Sequence, residues 1–143
     1  MSNHFKFFEL QTPADLYSKL ENDLILIKET AQDSKSAFNF FVTAEHLPDW
    51  LNQRSIVKDH CILRIVSHIA NGAKHFQLND KRHKSVTSTE KFRVCEEGCY
   101  EPGIFYEPLL IHLSENEAKE LNKTKIDVLE LAEKVLEFWK PYV

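Results

Sequence analysis

Arg64, His68, Asn71 and His75 are side chains that hold anions or move protons. On a helix turning about 100° per residue they fall within an arc of roughly 60°. His60 lies toward the same side. Imidazole titrates near neutral pH without a perturbed pKa, and the planar fork of guanidinium matches phosphate. A histidine passing protons beside an arginine that balances charge growing on phosphorus suits a metal-independent cut in RNA. The competing reading is a solvated helix face, or one satisfied by an element packed over it.

A basic segment follows. Lys74, Lys81, Arg82, Lys84, Lys91 and Arg93 face only the acids Asp80 and Glu90. With Asn71, the residues Lys74, Lys81, Arg82 and Lys84 would steer a polyanion toward the His/Arg stripe. An ordinary charged loop and outer strand face would look the same.

Other chemistries find less support. Cys95 and Cys99 have the spacing of half a zinc clip, but a structural zinc needs four ligands and no second cysteine pair exists. Cys61 follows His60 directly, and neighbours on a helix diverge by about 100°, so Cys61 reads as a small flank residue rather than a nucleophile. There is no glycine-rich phosphate loop, nucleophile elbow or zinc-type histidine pair. His68 and His75 stand seven residues apart, which suits an extended ligand better than one ion. No metal and no cofactor are expected.

The elements that would position the stripe follow from periodicity. A first helix spans about 12–31, with Thr12 as cap, Pro13 at its first position, and Leu16, Leu20, Leu24, Ile27 and Ala31 facing inward. A second spans about 34–46 with Ser34 as cap. Phe38, Phe41, Val42 and Glu45 mark one of its faces, and Phe40 makes it apolar on more than one side. Pro48 breaks it at Leu47 and starts a new turn with Trp50 and Leu51 packed inward. The striped helix covers about 58–76, its buried side formed by Ile62, Ile65, Val66, Ile69, Ala73 and Phe76. Gly72 within it marks either the close approach of a neighbouring helix or early fraying.

The pattern then turns to β-branched residues. Stretches 85–94 and 104–113 read as an inserted β-hairpin, bracketed at its turn by Gly98 and Gly103. Ser114 and Glu117 have capping-box spacing for a short helix or turn over 115–121. A last helix over about 125–139 buries Val128, Leu131, Ala132, Val135, Phe138 and Trp139 and stops at Pro141. The fold class is therefore mainly α: a helical bundle of about four helices with an inserted two-stranded β-hairpin.

The 143 residues, 43% apolar with 10 Phe, suffice for a single domain over 1–143 with a core of its own. Net charge −4 gives no global attraction to nucleic acid or membrane. No apolar run approaches the roughly 20 residues that span a bilayer. Three cysteines and a start without a signal-peptide pattern point to the cytoplasm.

Two long helices, a third bearing Arg and His, an inserted hairpin and a closing helix resemble the HEPN superfamily (higher eukaryotes and prokaryotes nucleotide-binding domains). The segment Ile69-Ala-Asn-Gly-Ala-Lys-His-Phe76 looks like the Asn-and-His helix of such proteins. Their motif is an Arg, four to six residues, then a His. Arg54 and His60 have five residues between them, whereas Arg64 and His68 have three and depart from the pattern. The resemblance implies a small, often dimeric helical bundle that binds or cleaves RNA, as in toxin–antitoxin and antiviral-defence systems. It also implies a phosphate clamp at Arg54 or Arg64 and acid/base work at His60, His68 or His75. Other members have lost catalysis and act as binding modules. That supports the alternative expectation, a homodimerising protein-interaction domain, to which the aromatic residues Phe5, Phe7, Phe8 and Trp50 also point. A third expectation is a small-molecule pocket between the hairpin and the striped helix.

Overall fold

The structure, a computed structural model, describes residues 9–30, 33–74, 86–91 and 109–143. The chain is mainly α, with a small antiparallel sheet.

Helix α1 (Pro13–Glu29) begins as its sequence dictates. Thr12 Oγ1 accepts from Asp15 N at 3.2 Å, and the Asp15 carboxylate accepts from Thr12 N at 2.9 Å, so two of the helix's unpaired N–H groups are satisfied reciprocally. Leu16, Leu20 and Ile27 are buried where α1 packs on the second helix and the last. Ala31 lies outside the described residues.

Helix α2 (Ser34–Trp50) differs from expectation at both ends. Its cap is Asp33, one residue before Ser34. The Asp33 carboxylate accepts from Lys35 N at 2.9 Å and from Ser36 Oγ at 3.1 Å, and its charge suits a helix N-terminus. The expected break at Leu47 is absent, and the helix runs through Pro48. Proline removes one hydrogen bond, but only the last turn lies beyond it and its ring is buried. Leu51 N reaches Leu47 O at 3.0 Å, Gln53 N reaches Pro48 O at 2.7 Å, and Asn52 takes the left-handed conformation that ends the helix. With Leu47 and Pro48 filling the inward positions, Trp50 turns outward at 38% exposure rather than packing inside. Phe40 and Phe41 meet edge-on in the core, their ring centroids 5.4 Å apart.

The striped helix is also shorter than its periodicity suggests. Residues Arg54–Asp59 form a 3-10 turn, His60 is extended, and α3 runs over Cys61–Lys74. Its burial is wider than the predicted stripe. Cys61, Leu63, Ile65, Val66, Ser67 and Ala70 are buried, while Ile62 and Ile69 are only partly so. The reason is its central place: α2 packs on one flank, while residues 86–91, 115–121 and 128–139 contact others. Among the described residues, no neighbouring helix approaches Gly72. A Cβ built there meets nothing within 4 Å among the described residues, against the close-approach reading.

Strands β1 (Val86–Lys91) and β2 (Leu109–Leu113) pair antiparallel, Thr89 opposite Ile111. A third strand, β3 (Lys125–Asp127), adds to the far side of β2, Ile126 opposite Ile111. These residues were expected to open the last helix. Instead Asp127 caps it, its side chain accepting from Leu129 N at 2.7 Å, and α5 spans Val128–Trp139. Between β2 and β3 lies α4 (Glu115–Leu121), which ends on left-handed Asn122. The expected capping box at Ser114 is not made, because Glu117 is used elsewhere. Ile111, Ile126, Leu131, Ala132, Val135 and Trp139 join the helical core. Among the described residues, no helix is long and apolar enough to cross a membrane.

Candidate functional site

A cavity of about 460 Å³ opens between α2 and α3. Phe38, Val42, Glu45, His46 and Asp49 line it from α2. They recur at i, i+4, i+7, i+8 and i+11, which is one side of a helix. Arg54 closes one end, and Ala70 and Asn71 of α3 form the opposite wall.

The polar end is tightly built. Arg54 Nε and Nη2 donate to the two Asp49 carboxylate oxygens at 2.8 and 2.7 Å. Its Nη1 donates to Glu45 Oε1, and Nη2 also reaches the Glu45 carbonyl at 2.6 Å. Four of the five N–H groups that a guanidinium offers are thus directed at the protein itself. Ser67 Oγ donates to the same Glu45 Oε1 at 3.1 Å, and Asn71 Nδ2 donates to Ser67 O at 2.8 Å. The network ties the 3-10 turn, α2 and α3 together.

Its electrostatics are uneven. The Arg54 hydrogen bonds hold Asp49 below the usual carboxylate range. Glu45 moves the other way: burial pushes its carboxyl up, and the Arg54 and Ser67 contacts only partly offset this. Glu45 Oε2 and Asn71 Oδ1 make no hydrogen bond among the described residues. The cleft therefore offers acceptors and net negative charge beside an apolar wall of Phe38, Val42 and Ala70.

A second cluster lies on the other flank of α3. Arg64 donates to Glu117 through Nε and Nη2, both at 3.1 Å, to Glu120 at 2.7 Å and to the Lys58 carbonyl at 2.7 Å. The Cys61 thiol donates to Glu117 Oε2 at 2.5 Å. Cys61, Glu117 and Glu120 bring three metal-ligand atoms within 4.8 Å of one another. Arg64 already supplies the cation these carboxylates need. Burial, with Glu117 beside it, pushes the thiol up to about 12, so it remains protonated.

The residues expected to converge thus divide among several neighbours. Arg54 and Asn71 share the α2–α3 cleft. Arg64 is bound to α4. His68 Nδ1 accepts from Val86 N at 3.2 Å, fastening β1 to α3. The His60 ring sits 4.7 Å from that of Phe138 on α5. Lys74 is the last residue of α3, and His75, Lys81, Arg82, Lys84, Cys95 and Cys99 lie outside the described residues. His46, Asp49, Ser67 and Glu117 were not anticipated. The signal for the first two was present in α2, where Glu45, His46 and Asp49 continue the line of Phe38 and Val42. No family model, curated protein or solved structure matches the chain.

Proposed function

We propose that this chain is a non-catalytic protein-interaction domain that engages its partner through the α2–α3 cleft. The observation that carries this reading is the closed ion-pair set at the cleft's end. Arg54, which would have to grip a phosphate, is already held by Glu45 and Asp49, and Arg64 is likewise held by Glu117 and Glu120. Releasing either arginine would strand carboxylates, at a cost of several kcal/mol for a buried partner such as Glu117. The half-exposed ring of Phe38 at the cleft wall is the kind of apolar anchor that protein interfaces use. Within the HEPN resemblance, this reading corresponds to the members that bind without catalysis.

Panning a random peptide library displayed on phage against the wild type and Phe38→Glu tests the reading. Peptides enriched by the wild type and lost with the variant support it. It falls if no peptide is enriched, or if the protein cuts RNA in chelator and loses that activity in His68→Ala or His75→Ala.

A further inference from the structure

We infer that the α2–α3 cleft takes a basic amphipathic peptide segment, with an apolar side chain on Phe38 and Val42 and a lysine or arginine on Glu45, Asp49 and Asn71. This rests on the interaction-domain reading and specifies the chemistry of the partner.

Length is the first argument. At 1.5 Å per residue, Phe38 and Asp49 are about 16 Å apart along α2. That exceeds a single amine and suits several residues of a peptide. Charge is the second. Glu45 and Asp49 against Arg54 sum to one negative charge at the polar end, and Arg54 is turned toward those carboxylates. The groups left spare among the described residues, Glu45 Oε2 and Asn71 Oδ1, are both acceptors. A ligand that satisfies them must donate, and ammonium and guanidinium carry donors with no acceptor. A polyanion such as RNA would meet repulsion from the same atoms. Position is the third argument. The apolar residues Phe38 and Val42 lie at one end of the stripe and the acids at the other, so the matching peptide has its apolar and basic side chains separated in the same order.

The burial of Glu45 adds a pH signature. Its carboxyl titrates above the ordinary range, and only the ionised form attracts a cation. Peptide affinity therefore rises as pH climbs through that raised pKa.

The test sequences the peptides enriched by the wild-type protein and measures their affinity for wild type, Glu45→Gln and Asp49→Asn by fluorescence anisotropy. Circular dichroism establishes that each variant is folded. Asp49 is exposed, so its variant keeps the test open should Glu45→Gln unfold. The expected result is enrichment of sequences pairing an apolar residue with Lys or Arg, about tenfold weaker binding to each folded variant, and weaker binding at acid pH. Enriched peptides without basic residues overturn this inference while leaving an interaction domain in place. No enrichment at all, or retention of RNA in their stead, overturns both. A dimer of this chain that Phe38→Glu disperses gives the cleft to a second copy and also overturns the inference.

Discussion

Glu117 of α4 grips Arg64 of α3 with two hydrogen bonds, Nε to Oε1 and Nη2 to Oε2, both 3.1 Å long. The spacing Ser114-x-x-Glu117 marks a helix start, yet the glutamate does not cap. Its side chain turns inward instead, to a buried site where it meets an arginine and a protonated thiol. The guanidinium that by type alone suits a phosphate is therefore a cross-brace between two helices.

Removing one member of such a pair leaves the other without compensation. Glu117→Ala should destabilise the fold by about 3 kcal/mol, while Glu120→Ala, at a half-exposed carboxylate, should cost under about 1 kcal/mol. Urea unfolding followed by tryptophan fluorescence measures both. Equal losses would show that Arg64 does not depend on the buried partner.

Cys61 should be chemically silent in the folded protein. With its thiol raised to about 12 from an ordinary 9.0, it has almost no thiolate at pH 8. Peptide mapping after brief iodoacetamide treatment should find Cys61 unmodified in native protein and alkylated in urea. Between about 9 and 12 the folded state keeps a proton that the unfolded state loses, so stability falls as pH rises. Cys61→Ala should flatten that decline relative to wild type.

The helices were legible because their signals are local. Thr12-Pro13 with Asp15 opens α1 as read, and five of the six stripe residues read for α5 are buried, Phe138 being only partly so. Misreadings arose where a tertiary contact outweighed a local preference. Pro48 sits in a helix because its ring is buried, and Lys125–Asp127 pairs with β2 because Ile126 reaches the core beside Ile111. The His/Arg/Asn face of α3 was visible, but what it faces was not. Periodicity orders residues around one helix and is blind to the acids at Glu45, Asp49, Glu117 and Glu120, which come from other elements. Those acids decide what the arginines do.

Gly72 should be replaceable with benefit. It is exposed in the last turn of α3, and an added Cβ meets open space among the described residues. Gly72→Ala should raise stability by about 0.5–1 kcal/mol through helix propensity and a less mobile unfolded chain. A loss on thermal unfolding would reveal a neighbour that the glycine accommodates.

Glu45→Gln should be tolerated, and its effect should depend on pH. The amide keeps an acceptor for Arg54 and Ser67 without a charge to desolvate. In wild type the folded carboxyl titrates above its ordinary 4.5, so between that value and the raised pKa the folded state binds more protons than the unfolded one. Stability therefore falls as pH rises through this window and is flat above it. The variant lacks this loss. Its stability relative to wild type should grow from pH 4 to pH 7. Paired urea titrations across that range would contradict the argument if the difference shrank.

Phe38 and Phe40 lie two residues apart on α2 and should separate folding from binding. Phe40 is fully buried and touches Phe41, so Phe40→Ala opens a cavity and should cost about 3–5 kcal/mol. Phe38 is 51% exposed at the wall of the cleft. Truncating it removes little buried area, so Phe38→Ala should change stability by no more than about 0.5 kcal/mol. The same truncation removes the apolar anchor at one end of the stripe and should weaken selected peptides about tenfold. Thermal unfolding and anisotropy on one preparation decide the matter. A destabilised Phe38→Ala would make the ring a structural residue, and a stable variant with unchanged affinity would take it out of the interface.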